Sequence, residues 1–244
     1  LKSKIVQHSY GLIESINKTR EAYTSPFVFA ETLSRISLDD DVIIPCSSGG
    51  AFTVMMQTFE LKNKQKMVTN KGLASMGYGL SGAIGASVAN KDKRVILVDG
   101  DGGFAQNIQE IGTVAINQIN LKIFILDDSG YASIRATQKN YFKGSYVGCD
   151  IETGLGLPHW EKLFDAWNLP ALRLSKDYES NSQFINLFDG KEPAAFIVSI
   201  DPEQTYFPKI TSRITENGSM ESNPLHQMTP DLDEELYKKV SVYL

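Results

Sequence analysis

The chain has 244 residues, 42% of them hydrophobic and 22% charged, with a net charge of −5. That length suits one large α/β domain or two small ones, and the acidic balance argues against nucleic acid as a partner. Two cysteines, Cys46 and Cys149, make no disulfide framework, no apolar run is long enough for a membrane helix, and no signal-peptide pattern opens the chain; the reading is a cytoplasmic protein with no membrane partner.

The first residue is Leu1 rather than a methionine, which points to a piece of something longer. Residues 1–24 are polar and mixed and read as a linker with one helical stretch. Ser25-Pro26 then starts a helix, a capping serine before a proline in the first turn, with Val28, Leu33 and Ile36 as its buried side. Val42–Pro45 reads as a strand. Ser47-Ser48-Gly49-Gly50 is a small-residue turn that opens a helix through Phe59, and Gly49 and Gly50 offer N–H groups to an anion there; a plain strand-to-helix turn is the alternative. Lys66–Thr69 is a further strand, followed by Gly72-Leu73-Ala74-Ser75-Met76-Gly77-Tyr78-Gly79-Leu80. The helix Ser81–Asn90, built of Gly82, Ala83, Gly85, Ala86 and Ala89, is slim enough to lie close against a sheet.

Arg94–Tyr131 is the densest stretch: strand, glycine-rich turn, helix, strand and a second acidic turn. Arg94–Val98 is the β-branched run of a strand buried on both faces. Asp99-Gly100-Asp101-Gly102-Gly103 breaks it with three glycines that let another molecule approach the backbone. A helix follows over Gln106–Asn117 with Ile108, Ile111 and Ala115 on one face, then the strand Ile123–Leu126 and the turn Asp127-Asp128-Ser129-Gly130. A right-handed βαβ crossover sends both acidic turns to the carboxyl ends of neighbouring parallel strands. Asp101 and Asp128 are therefore expected to face one pocket, where hard oxygens and glycine N–H groups suit a divalent cation carrying a phosphorylated ligand.

Tyr131–Gln138 reads as a short helix and Asn140–Leu157 as a long loop with Tyr141, Phe142, Tyr146 and Cys149. Pro158–Trp167 reads as an amphipathic helix with Trp160, Leu163, Phe164 and Trp167 inward. Leu172–Leu174 and Ala195–Ile200 are the last two strands, with Tyr178–Phe188 crossing between them. The tail from Asp201 is polar, proline-punctuated and without period, closing on a helix over Asp231–Tyr243. Arg213 and His226 in it would meet a substrate or a neighbouring subunit, or serve simply as surface and packing residues. The division expected is 1–24 linker, 25–200 cofactor-binding domain and 201–244 tail packed on that domain or on a neighbouring subunit. The fold class is α/β, a doubly wound, mainly six-stranded parallel sheet with helices on both faces.

Gly100-Asp101-Gly102, the polar run Asn107–Glu110 and the paired acids before Gly130-Tyr131 resemble the thiamine diphosphate motif, GDG followed at a distance by Asn-Asn. GLxxMGYGL before an Ala/Gly helix, here Gly72–Leu80, is similar to a second block of the same enzymes, acetolactate synthase large subunits, pyruvate oxidases and their relatives. The resemblance implies that Asp101, the side chain at 128 and the carbonyl of Gly130 bind Mg²⁺. It implies that Gly49, Gly50, Ala51, Ser75, Gly102, Gly103, Tyr131, Ala132 and Ser133 line the thiamine diphosphate, and that Met76 is the apolar support that bends it. The reaction implied is decarboxylation of a 2-oxo acid such as pyruvate and transfer of the two-carbon unit to a second carbonyl. No catalytic residue is assigned in this chain, because the family's activating glutamate lies on a pyrimidine domain that these residues do not contain. The partners implied are the 2-oxo acid and the pyrimidine domain of a second subunit, in a homodimer or homotetramer when full length. A flavin in the missing part stays open by the same resemblance.

Two positions depart from the family. Ser81 stands where proline is commoner, and Asp127-Asp128 replaces the two asparagines. An added carboxylate ~5 Å from an anionic diphosphate costs about 3 kcal/mol at an effective dielectric near ~20, so metal affinity should rise and metal-free cofactor affinity should fall. Asp128→Asn, which restores the family residue, is expected to be tolerated. Two other readings compete. Val95–Gly102 is also like the nucleophile loop of haloacid dehalogenase-type phosphatases, with Asp99 as nucleophile and Asp101 as acid/base, though the later lysine and distal acids have no candidates. A non-catalytic, degenerate thiamine diphosphate-binding relative is the second.

Overall fold

The computed structural model describes residues 16–224 and 226–242; most of the expected linker, 1–15, lies outside them. The described chain divides into two units, 19–204 and a smaller one of 16–18 with 205–242.

In the larger unit the apolar runs form one sheet. Strands β1 (Val42–Ile44), β2 (Lys66–Met67), β3 (Val95–Gly100), β4 (Leu121–Asp127), β5 (Ala171–Arg173) and β6 (Ala194–Ser199) pair in the order β2-β1-β3-β4-β6-β5, every pair parallel. The register sets Ile44 beside Leu97, Gly100 beside Leu126, and Asp127 beside Ser199. β1 is flanked by β2 on one side and β3 on the other, so successive connections leave it in opposite directions. The carboxyl ends of β1 and β3 thus border the switch point where α/β sheets bind ligands.

The near-continuous apolar strands are explained by helices on both faces. On one face Val95, Leu97, Ile123, Ile125 and Ile197 pack against α3 (Tyr78–Ala89), α4 (Asp101–Ala105), α5 (Ile111–Ile116) and α7 (Trp160–Asp165) through Leu80, Phe104, Ile111, Trp160 and Phe164. On the other an aromatic cluster joins the sheet to α1 (Pro26–Ile36) and α8 (Ser182–Asp189). Phe124 lies 5.4 Å from Phe29, 5.9 Å from Phe188 and 4.8 Å from Phe196, ring centre to ring centre. The doubly wound α/β expectation holds.

The differences are local. In α1, capped by Ser25, Pro26, Phe29, Ala30 and Leu33 follow the helical stripe inward, while Val28 is 39% exposed and Ile36 only half-buried. The helix expected over Gln106–Asn117 starts earlier: the chain turns helical at Asp101, whose acid suits a first turn. It then breaks at Asn107 and resumes through a 3₁₀ turn, Ile108–Glu110, into α5. Trp167 falls beyond α7 and is 41% exposed, although its ring lies against Gly112, where a Cβ would approach it to 2.8 Å. The helix α2 (Gly49–Thr58) and α6 (Ala132–Tyr141) occupy their expected places.

At the amino-terminal edge of the sheet, Arg94 is 5% exposed and donates to Asp41 at 2.7 and 3.1 Å and to the Phe188 carbonyl at 2.9 Å. Its guanidinium lies 4.0 Å from the Phe188 ring centre. The unit also closes on itself, since the Thr19 hydroxyl donates to Gln204 at 2.7 Å and Arg20 forks onto Asp201.

In the smaller unit the stretch read as aperiodic holds an antiparallel pair, β7 (Ser212–Ile214) and β8 (Met220–Ser222), turned by Gly218 at φ +80. Arg213 pairs with Glu221 at 2.9 Å across it. The closing helix α9 spans Glu234–Ser241, and the His226 ring lies 6.3 Å from that of Tyr237, tilted by 37°. Asn17 receives the Phe207 amide and the Thr205 hydroxyl. Among the described residues, no helix is long and apolar enough to cross a membrane.

Candidate functional site

Four turns gather at the carboxyl ends of β1 to β4. After β1, Cys46 at φ 43 and Gly49 at φ 76 bend the chain into α2. Ser48 makes no side-chain cap, so the first N–H groups of α2 are left to another acceptor. Gly49 is exposed, Gly50 half-buried and Ala51 buried. The Ser47 hydroxyl donates to the Ser75 carbonyl at 2.6 Å, tying this turn to the one after β2. That second turn carries Met76, 44% exposed, and ends at Gly77, which takes φ 83 to start α3. A Cβ at Gly77 would meet Gln106 at 3.2 Å, so the second and third turns also touch.

The third turn, Asp99–Gly103, and the fourth, Asp127–Tyr131, meet through Asp101. Its Oδ1 accepts from the Gly102 amide at 2.6 Å and its Oδ2 from the Gly130 amide at 2.9 Å. Gly130 sits at φ +146, where a Cβ would lie 2.2 Å from the Cys149 carbonyl, so only glycine fits. A Cβ on Gly102 would lie 2.3 Å from the Tyr131 ring and 3.5 Å from the Gly130 carbonyl. The two turns therefore close on each other with no room for side chains. Gln106 donates to the Tyr131 hydroxyl at 2.8 Å and steadies the ring. Ala132 is half-buried and Ser133 exposed at the start of α6.

The electrostatics are those of a site short of positive charge. Burial, then the charges of Asp128 and Asp127, push the Asp101 carboxyl well above the usual range. Burial lifts Asp128 to about 7, with Arg135 acting in the opposite direction. A divalent cation would relieve both. Among the described residues no three His, Cys, Asp or Glu side chains converge as a metal set. A cation here would rest on two carboxylates, the Gly130 carbonyl and oxygens of its ligand, a donor set that suits a hard ion such as Mg²⁺. The glycines at 102, 103 and 130 are required by the protein's own packing, against the Tyr131 ring, Asp99 and the Cys149 carbonyl respectively.

Several participants have no counterpart in the sequence reading. Asp128 accepts from Arg135 at 3.1 Å, and Asp127 from Arg173 at 2.9 Å. A basic residue in the first turn of a helix stands against the helix dipole, and that was the available signal for Arg135. Asp99 is 3% exposed and wedged between Gly79 and Gly103, where a Cβ would lie 2.2 and 2.7 Å from its oxygens. Among the described residues its Oδ2 has no hydrogen-bond partner, and burial raises the carboxyl to about 7. Cys46 beside it is pushed well above the usual thiol range by burial and by Asp99. A carboxylate so enclosed has no path to an incoming phosphoester, which removes the phosphatase nucleophile.

The chain is similar to known proteins in sequence and in fold. The family described as "Thiamine pyrophosphate enzyme, C-terminal TPP binding domain" matches residues 48–198. The acetolactate synthase isozyme 1 large subunit of Escherichia coli (strain K12) is 27% identical over 71% of this chain and 30% of its own length. A probable acetolactate synthase large subunit of Methanococcus aeolicus is 32% identical over 68% of this chain and 27% of its own. The chain thus spans under a third of the length of these relatives. A thiamine diphosphate-dependent 4-hydroxybenzoylformate decarboxylase of Rhodococcus jostii RHA1 has the same fold, with a TM-score of 0.64 and 20% identity over 75% of this chain and 34% of that one.

Proposed function

The chain belongs to the thiamine pyrophosphate enzymes, as an acetolactate synthase-like C-terminal domain, and from that premise we propose that it holds the diphosphate end of thiamine diphosphate through Mg²⁺ in an enzyme that decarboxylates a 2-oxo acid, pyruvate first among them, and transfers the two-carbon unit. The observation that carries the reading is the double hydrogen bond of Asp101 to the Gly102 and Gly130 amides, which aligns both acidic turns on one point.

In this reading Asp101, Asp128 and the Gly130 carbonyl hold the metal. The first amides of α2, at Gly49, Gly50 and Ala51, would receive the diphosphate, with Gly102, Gly103, Tyr131, Ala132 and Ser133 bordering it. Ser75 and Met76 would support the thiazolium, which gives an exposed apolar side chain a use that solvent does not. Thiamine diphosphate, when bound, supplies the electron sink for loss of carbon dioxide. The residues of this chain bind and orient it, and they provide no general base for its aminopyrimidine. That group is a glutamate on the pyrimidine domain of a second subunit, so the working enzyme is a cytoplasmic homodimer or homotetramer of a longer chain. The test is calorimetric titration with thiamine diphosphate, with and without Mg²⁺. Saturable binding only with the metal supports the reading, and binding indifferent to the metal refutes it.

A further inference from the structure

The acidic dipeptide that replaces two asparagines is not left as bare charge. Asp128 Oδ1 accepts from Arg135 Nη2 at 3.1 Å, with the two side chains 13% and 10% exposed. Among the described residues, Oδ2 of Asp128 has no hydrogen-bond partner. Arg135 also donates to the carbonyls of Asp128 at 2.8 Å, Ser129 at 3.3 Å, Cys149 at 3.4 Å and Pro202 at 3.3 Å. Asp127 pairs with Arg173, but that guanidinium is 41% exposed and is shared with Glu161. The sealed pair is therefore the one at the cation turn.

We infer that Arg135 is the positioning residue and fixed counter-charge of the cation–diphosphate site. An asparagine at 128 would offer the metal a neutral oxygen, whereas an aspartate offers an anionic one and repels the diphosphate. With a guanidinium in contact, Asp128 and Arg135 together are neutral, as the asparagine is, yet one anionic oxygen remains for the metal. The same guanidinium, anchored on four carbonyls, fixes the turn that aims that oxygen and the Gly130 carbonyl. Asparagine at 128 is then no simple restoration, because it leaves a sealed arginine unbalanced beside a divalent cation.

The inference rests on the Mg²⁺–thiamine diphosphate reading, and the experiment separates the two. Two quantities are measured by calorimetry on the 244-residue chain: the Mg²⁺ needed for half-saturation at fixed thiamine diphosphate, and thiamine diphosphate affinity at saturating Mg²⁺. Asp128→Asn should raise the Mg²⁺ requirement about tenfold, while Arg135→Gln should leave it unchanged or lower it and weaken thiamine diphosphate about tenfold. The double variant Asp128→Asn/Arg135→Gln should return both to within about threefold of wild type, and Arg135→Lys should stay as close. A merely structural arginine would weaken both quantities together, and the double variant would be no better than the worse single; that outcome overturns the inference. If Arg135→Gln does not fold, the comparison of Asp128→Asn with Arg135→Lys decides: equal losses in both overturn it. Wild type that binds no thiamine diphosphate at any Mg²⁺ concentration overturns the functional reading, and Arg135's role falls with it.

Discussion

The amide of Gly130 donates to Oδ2 of Asp101 at 2.9 Å, so the turn after β4 is aligned by the acid that opens the turn after β3. Replacing Asp101 by alanine removes the proposed cation ligand and the acceptor of both amides at once. Mg²⁺-dependent thiamine diphosphate binding should fall below detection in calorimetry, and unchanged binding in Asp101→Ala would falsify the site.

Asp99 makes stability depend on pH. Its folded value near 7 lies above the ordinary 3.8 because it is buried. The folded state therefore holds a proton that the unfolded state has lost between those values. Its contribution to stability is full below about pH 4 and is lost as pH rises toward 7, by about 4 kcal/mol at most. Asp99→Asn should flatten this slope and melt higher than wild type at pH 8. Melting curves of the two proteins from pH 4 to 8 check it, and parallel curves would count against a proton held by the buried carboxyl.

Met76 is 44% exposed in a turn whose neighbours are held by hydrogen bonds. Losing roughly 50 Å² of its contact with a bound thiazolium corresponds to about 1 kcal/mol, close to a tenfold loss of affinity. Met76→Ala should show that loss in the presence of Mg²⁺ with the unliganded melting temperature unmoved. A lowered melting temperature would assign Met76 to packing instead.

Asp41 and Arg94 form a buried pair at the opposite edge of the sheet. Asp41→Ala leaves a sealed guanidinium uncompensated and should cost about 3–5 kcal/mol, a fall in melting temperature of about 10 °C. Thiamine diphosphate affinity at a temperature where the variant stays folded should be unchanged. A loss of affinity there would couple the two edges of the sheet.

The 244-residue chain should not decarboxylate pyruvate by itself, because the proposed reading puts the glutamate that serves the aminopyrimidine on a separate domain. Carbon dioxide release above that of Asp101→Ala, followed in a coupled assay, is the result that would contradict this.

Strand identity was legible because β3, β4 and β6 are apolar on both faces, and the acidic turns because glycine clusters interrupt apolar runs. Element ends were less legible. Gln106–Asn117 has a helical stripe, but Asp101 already satisfies the first turn and Asn107 breaks the run. Val28 and Trp167 are large and apolar, yet each lies off the stripe that meets the sheet. The β7–β8 hairpin carries Ile214 and Met220 exposed, so no alternating buried face marks it in sequence. Within the candidate site the glycines and Asp101 could be found from spacing. Arg173, on the edge strand β5, and the enclosure of Asp99, between Gly79 of α3 and Gly103 of α4, could not, since tertiary packing alone brings them to the site.

The handshake between Thr19 and Gln204, backed by Arg20 on Asp201, brings the entry and exit of the larger unit to one spot on its surface. A body whose two ends meet behaves as a cassette. It can be spliced into a host loop, or its ends joined by a short linker and the chain reopened elsewhere. The turn at Lys143 and Gly144 after α6, both residues at positive φ, is a natural place to cut. Such a permuted chain would start and stop beside α6 and keep the order β2-β1-β3-β4-β6-β5 intact. In evolutionary terms, a domain built this way can be moved between longer proteins without redesigning its interior.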